Sequence, residues 1–213
     1  KACKERNIQV LNCPNYSNVA VSELVIGLTL NLLRKINQAD TTTRNGQTNS
    51  LLIGEELNNK TIGIIGLGKI GNKTANLFSA FGCKVLAYQR KPINNPNVTQ
   101  VTLDELLSQS DIISLHIPYN EETYHFIDED KINMMKKDAI LINCARGPVV
   151  DNIALAKALN EERIKGAGID VFDYEPPLNV DYPLLNAKNT ILTPHLAYFT
   201  KEAMIKRANI EFN

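Results

Sequence analysis

The 213-residue sequence has no tryptophan, only three histidines and no excess of charge of either sign. Lysine plus arginine and aspartate plus glutamate each number 23, so the net charge is zero. No basic tract is long enough to follow a nucleic-acid backbone. We therefore expect no nucleic-acid partner.

Cysteine and long apolar runs are also scarce. The four cysteines show no CxxC spacing and no cluster with histidine, which indicates no metal site. The most apolar stretch, residues 19–33, is interrupted by polar side chains and is too short to span a bilayer. We therefore expect neither a bound metal nor a membrane partner.

Residues 61–71, TIGIIGLGKIG, are the most informative segment. Its β-branched isoleucines predict a buried parallel strand, and a helical pattern follows the last glycine. Gly66 permits a tight turn, Gly68 lets the backbone approach a pyrophosphate, and Gly71 lets helix and strand pack closely. The N–H groups and positive dipole end of the helix suit phosphates. This context predicts a dinucleotide site, and the alternative is a tight turn without a ligand.

Strand and helix patterns alternate from Lys60 onward. Strands are predicted at 61–66, 84–88, 111–116, 139–144, 166–171 and 190–193. Helices are predicted at 69–81, 103–109, 128–136 and 151–161. Short apolar strands that alternate with helices indicate an α/β fold, a Rossmann-type doubly wound parallel sheet with helices on both faces. Domains of this type usually work in a reducing cytosol, so we expect a cytoplasmic protein.

The residues ahead of Lys60 are less regular. The pattern predicts a strand at 8–11, a helix at 19–36 and a polar loop at 37–50. The helix is apolar on most faces, which predicts burial between layers or between subunits. Because both ends of the sequence fall within apparent structural elements, we expect it to be part of a longer protein.

The end of the second strand bears on the choice of cofactor. In this fold an acidic residue there usually holds the ribose hydroxyls of NAD, and this sequence has Gln89 instead. Gln89 removes the repulsion that a carboxylate exerts on the 2′-phosphate of NADP, and Arg90 and Lys91 can contact that phosphate. Alternatively, Arg90 stacks on the adenine of NAD. The residues slightly favour NADP over NAD.

Three polar segments follow the last three strands: NCARG, GIDVFDYEPP and TPHLA. In a doubly wound sheet they reach the same carboxyl edge as the glycine loop, so Arg146, Glu175 and His195 can converge there. Arginine can bind a carboxylate or polarise a carbonyl, and histidine can give or take a proton. A neighbouring carboxylate favours the imidazolium form and fixes the tautomer. The trio suits hydride transfer at a carbon that bears oxygen.

Each of these residues also has an ordinary alternative. Arg146 could close a surface salt bridge, Glu175 could be a loop residue, and His195 could cap a turn. His125 is interpreted as a packing residue. Cys144 is interpreted as a buried wall residue rather than a nucleophile, because no base is evidently placed to activate it.

Taken together, the motifs resemble those of the D-isomer-specific 2-hydroxyacid dehydrogenases. The resemblance covers essentially the whole chain, from AVSEL at 20–24 through SLHIP at 114–118 to TPHLAY at 193–198. It implies an NAD(P)-dependent oxidoreductase that interconverts a 2-keto acid and a D-2-hydroxy acid, with a homodimer formed through the helix at 19–36.

The resemblance also implies a division of the chain. Residues 1–16 would end a substrate domain that is otherwise absent, 17–200 would form the NAD(P)-binding domain, and 201–213 would start the helix that returns to the substrate domain. On that division, we expect the fragment to bind cofactor but to turn over poorly or not at all.

The resemblance further implies a role for each matching residue. Arg146 would bind substrate, Glu175 would orient the histidine, and His195 would exchange the proton. Lys69 and Ile70 would meet the pyrophosphate through their backbone amides. The residues implied to contact the rest of the cofactor are Ile117, Pro118, Thr123, Cys144, Ala145 and, at the nicotinamide carboxamide, Asp170.

A second kind of function stays open at this point. A dinucleotide-sensing protein on the same fold, like the C-terminal binding protein corepressors, keeps a similar Arg/Glu/His trio. The neutral charge favours a metabolic enzyme. The sequence does not name the keto acid.

Overall fold

A seven-stranded, all-parallel sheet forms the centre of the computed structural model, which describes residues 2–48 and 52–212. The strands are β1 (Thr61–Ile65), β2 (Lys84–Tyr88), β3 (Thr99–Gln100), β4 (Ile112–Leu115), β5 (Ile140–Asn143), β6 (Gly166–Ile169) and β7 (Thr190–Leu192). The helices are α1 (Ala2–Glu5), α2 (Asn18–Arg34), α3 (Ile36–Arg44), α4 (Lys69–Ala80), α5 (Leu103–Gln109), α6 (Glu129–Met134), α7 (Asn152–Asn160) and α8 (Lys201–Phe212).

The strand order is β3-β2-β1-β4-β5-β6-β7. The order therefore reverses between β1 and β4, which lie side by side with Ile65 opposite Leu115. At such a reversal the connections that leave the two strands diverge, and they open a crevice at the carboxyl ends of the strands. The predicted doubly wound α/β fold is confirmed.

Each face of the sheet has its own hydrophobic core. On one face α2 and α4 cover fully buried side chains, among them Val25, Ile62, Ile64, Phe78 and Ile112. On the other face α5, α6 and α7 cover a second fully buried set, among them Ile65, Leu106, Ile113, Leu115 and Leu155. Burying a side chain of this size contributes about 1.5–3 kcal/mol, so the apolar strands drive the layered packing.

The elements predicted after Lys60 are confirmed, each with boundaries within two residues of those observed. The exception is β3, a two-residue edge strand that pairs with β2 through Leu86 and Thr99 and was not predicted. Strands this short carry too little periodicity to be recognised from sequence.

Two predictions ahead of Lys60 are wrong. Residues 8–11 form no strand, and Ile8, Val10 and Leu11 are 55%, 71% and 80% exposed. The apolar residues alone are insufficient because a strand also needs a neighbouring backbone to pair with.

The second wrong prediction is the loop at 37–50, because the described part of this segment is mostly the helix α3, and residues 49–50 lie outside the described residues. The helix has no buried side chain that could have produced an apolar stripe. Local polar contacts stabilise it instead, including an ion pair of Arg44 with Asp40 at 2.8 Å and a hydrogen bond from the Asn37 N–H to Asn31 Oδ1.

One side of helix α2, including Val25 and Leu33, is buried against α4 and the sheet, whereas Val19 is exposed. The homodimer stays a prediction. Among the residues that the structure describes, no helix has both the length and the apolar character required to cross a membrane.

Two glycines give opposite predictions for stability. A Cβ at Gly63 in β1 would lie 2.5 Å from the buried side chain of Leu106, whereas a Cβ at Gly27 in α2 would meet nothing within 4 Å. We expect Gly63→Ala to lower the free energy of unfolding by about 1–3 kcal/mol through overpacking. We expect Gly27→Ala to raise it by about 0.5–1 kcal/mol, because alanine favours the helix. Urea unfolding measures both, and equal midpoints for the two variants would contradict this packing.

Candidate active site

The turn between β1 and α4 carries the three predicted glycines. Gly66 has φ +91°, and a Cβ there would lie 2.8 Å from the carbonyl oxygen of His116. A Cβ at Gly71 would overlap the carbonyl oxygen of Gly66. Both positions therefore require glycine for the packing of the chain itself. Gly68 differs, because a Cβ there would meet nothing within 4 Å, so the space above it is open.

The start of α4 faces this open space without a side-chain cap. Its N-cap residue is Gly68, and no described side chain caps the helix there. The first amide that bonds back is Asn72, to the carbonyl oxygen of Gly68 at 2.8 Å. The N–H groups of Lys69, Ile70 and Gly71 therefore point out of the helix end. Free amides, a helix dipole and open space together fit a pyrophosphate.

A cavity of about 220 Å³ adjoins the glycine loop at the end of β2. Gln89 lies there at the predicted position, and its Oε1 accepts a hydrogen bond from the Leu67 N–H at 3.3 Å. Gln100 of β3 shapes the rest of this wall, because its side chain bonds to the backbone of Gln89, Lys91 and Ile93 at 3.0–3.2 Å. This contact was missed, since it depends on the unpredicted strand β3.

The other wall of this cavity comes from the segment after β4. Ile117, Pro118 and Thr123 line it, and Thr123 Oγ1 donates to the carbonyl oxygen of Pro118 at 2.7 Å. An ion pair joins the two walls, from Arg90 Nη1 to Glu122 Oε2 at 3.0 Å. Glu122 was also missed, because its partner lies 32 positions away in sequence.

A second cleft, of about 570 Å³, continues along the same edge of the sheet. Ile117 and Pro118 line both spaces, so the two are adjacent, and we refer to them together as the groove. The second cleft is also lined by Ile70, Cys144, Ala145, Arg146 and His195. The groove thus runs from the end of β2, past the glycine loop, to the predicted catalytic residues.

His195 and Glu175 form a close pair at this cleft. His195 Nδ1 lies 2.8 Å and 2.9 Å from the two carboxylate oxygens of Glu175. Because Nδ1 faces the carboxylate, it carries the proton, and Nε2 is left for a molecule in the cleft. Glu175 stands behind the histidine and does not itself line the cleft.

Asp170 anchors the loop that carries His195. Its fully buried carboxylate accepts hydrogen bonds from Thr193 Oγ1 at 2.5 Å and from the N–H groups of Leu196 and Ala197 at 2.9 Å. Its carbonyl oxygen accepts the His195 N–H at 2.8 Å. These bonds occupy three of the roughly four acceptor positions of a carboxylate. The contact with a nicotinamide carboxamide stays a prediction.

The segment that carries Glu175 is held by a network that was not predicted. Tyr182 donates from its hydroxyl to Asp173 Oδ2 at 2.9 Å, and Asn152 donates to Asp173 Oδ1 at 2.9 Å. Burial and the Asp173 carboxylate both raise the pKa of Tyr182, so its hydroxyl stays protonated and remains a donor. The network fixes the backbone two residues ahead of Glu175.

Arg146 extends from a turn shaped by Asn143. The Asn143 side chain donates to the carbonyl oxygen of Arg146 and accepts from the Ala145 N–H, both at 3.0 Å. A Cβ at Gly147 would overlap the carbonyl oxygen of Phe172, so this turn packs directly on the strand end that leads to Glu175. Arg146 is exposed and forms no ion pair with a described residue.

The other two histidines differ from His195. His116 lines the cleft, its Nε2 lies 2.9 Å from Ser114 Oγ, and burial lowers its pKa to about 4. Its ring is therefore neutral near pH 7 and does not serve as a proton donor. His125 stacks on Tyr124 at 4.0 Å and lines neither cleft.

Cys144 is a buried thiol in the wall of the cleft. Burial, together with the nearby Asp170 carboxylate, raises the pKa of Cys144 well above its usual range, so it is not a thiolate nucleophile at neutral pH. Among residues 2–48 and 52–212, no three His, Cys, Asp or Glu side chains are grouped as metal ligands.

Three tyrosines in the cleft were not predicted as site residues: Tyr16, Tyr119 and Tyr198. The rings of Tyr198 and His195 pack in a T-shaped arrangement with their centroids 5.6 Å apart, and those of Tyr16 and Tyr198 do the same at 6.5 Å. Tyr16 directly precedes the N-cap of α2, and its position there was the available sequence signal.

The sequence is similar to that of a known protein family. The model of the family described as "D-isomer specific 2-hydroxyacid dehydrogenase, NAD binding domain" matches residues 26–197. A glyoxylate reductase of Thermofilum pendens is 44% identical over 216 residues, which cover 97% of this chain and 63% of that protein. The chain thus spans less than two thirds of the length of this relative.

Two solved structures are similar to this chain over nearly its whole length. An acyclic imino acid reductase in complex with NADPH and D-Arg matches with a TM-score of 0.89 and 40% identity, covering 98% of this chain and 67% of that one. A D-lactate dehydrogenase from Aquifex aeolicus, complexed with NAD and lactic acid, matches with a TM-score of 0.89 and 34% identity, covering 99% and 69%. The chain therefore belongs to the D-isomer-specific 2-hydroxyacid dehydrogenase family, whose NAD-binding domain it contains.

Proposed function

We propose that this chain is the cofactor-binding part of an enzyme that interconverts a 2-keto acid and a D-2-hydroxy acid. The observation that carries the proposal is that Arg146 and the Glu175-bound His195 line one cleft, which Ile70 of the glycine loop also lines. Relatives named as reductases of glyoxylate and hydroxypyruvate support a small 2-keto acid as substrate.

The side chains divide the chemistry between them. Bound cofactor supplies hydride to the carbonyl carbon or takes it from the alcohol carbon. Arg146 donates one hydrogen bond from its guanidinium to the carbonyl oxygen of Ala145. Its other N–H donors bind the substrate carboxylate. His195 donates from Nε2 to the carbonyl oxygen as it becomes a hydroxyl, and in reverse it accepts that proton. Glu175 holds Nδ1–H and stabilises the imidazolium.

Three parts of the groove would hold the cofactor. The amides of Lys69 and Ile70 would bind the pyrophosphate, the cavity at Gln89 would take the adenosine, and Ala145 and Asp170 would lie near the nicotinamide. Gln89 with Arg90 slightly favours NADP over NAD. Similar structures in complex with NADPH and with NAD support either cofactor for this fold.

The domain division is also part of the proposal. Residues 1–16 and 201–213 belong with a substrate domain, and 17–200 form the cofactor domain. The homodimer and the cytoplasmic location stay predictions.

Gly68 offers a test of cofactor binding that is separate from folding. Because a Cβ there meets no protein atom, we expect Gly68→Ala to fold normally, with the urea midpoint lowered only slightly because alanine is a poorer N-cap residue than glycine. The added methyl group occupies the space of the pyrophosphate, so NADH and NADPH should bind about tenfold more weakly or worse. Fluorescence titration measures both affinities. Gly27→Ala is the control, and undiminished binding by Gly68→Ala would exclude the proposed pyrophosphate position.

Catalysis is tested in the full-length protein by comparing two histidines. His195 and His125 both have a positive φ, 53° and 47°, which asparagine tolerates better than most residues. Both also lie near a carboxylate, so the two substitutions are comparable. We expect His195→Asn to lower kcat for 2-keto acid reduction by about 10²–10⁴-fold while cofactor affinity is kept. We expect His125→Asn to keep normal turnover.

Two results would contradict this assignment. Normal turnover by His195→Asn would exclude the histidine as the proton donor. Tight cofactor binding without turnover of any 2-keto acid by the native full-length protein would instead indicate a dinucleotide sensor.

A further inference from the structure

The ion pair of Arg90 with Glu122 has no evident structural purpose. Its side chains are 82% and 73% exposed, and pairs this exposed contribute little to folding stability. Both residues nevertheless line the adenosine cavity, Arg90 from the loop after β2 and Glu122 from the turn after β4. The pair therefore joins the two walls of the space in which the adenosine part of the cofactor is proposed to bind.

Both partners stand on firmly held backbone. Gln100 clamps the loop after β2 through its bonds to Gln89, Lys91 and Ile93. On the other wall, Asn120 Oδ1 accepts the N–H groups of Glu122 and Thr123 at 2.9 Å and 3.1 Å. The backbone on both walls is therefore held where the guanidinium and the carboxylate can reach each other.

The charges act differently on the two cofactors. The ribose 2′ position lies at the end of the second strand in this fold, next to Gln89 and Arg90. A phosphate there carries up to two negative charges and needs a cationic partner. Glu122 neutralises Arg90 and adds a negative charge within ion-pair distance of it. A 2′-hydroxyl carries no charge and meets no such repulsion.

We propose that Glu122 is a specificity-determining residue that limits NADPH binding by holding Arg90 in an ion pair. The inference rests on the proposed function of the groove. Gln89 removes the carboxylate that usually excludes NADP, and Glu122 brings a carboxylate back from the opposite wall. The ratio of NADH to NADPH affinity thus depends on Glu122, outside the loop after β2, as well as on Gln89 and Arg90.

The chain contains a matched control for this test. Glu121 neighbours Glu122, is also exposed and changes the net charge equally when neutralised, but it does not line the cavity. We expect Glu122→Gln to lower the Kd for NADPH about three- to tenfold and to change the Kd for NADH less than twofold. Glu121→Gln should leave the ratio of the two unchanged. Fluorescence titration of the chain gives all four values, and unchanged thermal melting verifies the fold.

The same substitution in an Arg90→Gln variant shows whether Glu122 acts by neutralising Arg90 or only by repelling the phosphate directly. In an Arg90→Gln chain the guanidinium is absent, so Glu122→Gln should give a smaller gain in NADPH affinity than in the native chain. An unchanged ratio in Glu122→Gln, or an equal shift in Glu121→Gln, would overturn the role of Glu122 and leave the proposed function standing. Failure of the native chain to bind either nucleotide would overturn the proposed function, and with it the role of Glu122 in cofactor specificity.

Discussion

The pairing of β1 with β4 at the centre of the sheet is the constraint on which the site depends. Their hydrogen-bonded backbones lie side by side, and the His116 N–H binds the carbonyl oxygen of Ile65 at 2.8 Å where the two strands end. The chain leaves the two strands toward opposite faces, so the groove opens between them. The glycine loop, the cavity at Gln89 and the cleft that holds His195 all lie along this one edge.

Close backbone contacts position the side chains that line the cleft. Gly71 packs on Gly66, and Gly147 packs on the carbonyl oxygen of Phe172, so neither turn tolerates a side chain. The loop that carries His195 is held by hydrogen bonds to the buried carboxylate of Asp170. The side chains of His195 and Glu175 thus meet at 2.8 Å because rigid turns hold their backbones in place.

Much of the fold was predictable because its signals are local. Apolar β-branched runs and the helical period located the strands and helices after Lys60 to within two residues. The failures have a different physical origin. Residues 8–11 have a strand-like composition but no partner strand, and α3 is stabilised by polar pairs such as Arg44 with Asp40 rather than by an apolar stripe.

The sequence by itself determined the fold class and the glycine loop, and it predicted that Arg146, Glu175 and His195 lie at one edge of the sheet, because each is part of a short motif at a strand end. Only the tertiary structure decided which residues support them. Tyr182 behind Glu175, Gln100 behind Gln89 and Glu122 opposite Arg90 act through contacts between separate elements. Such contacts depend on how strands are ordered and how loops face one another, which no local periodicity records.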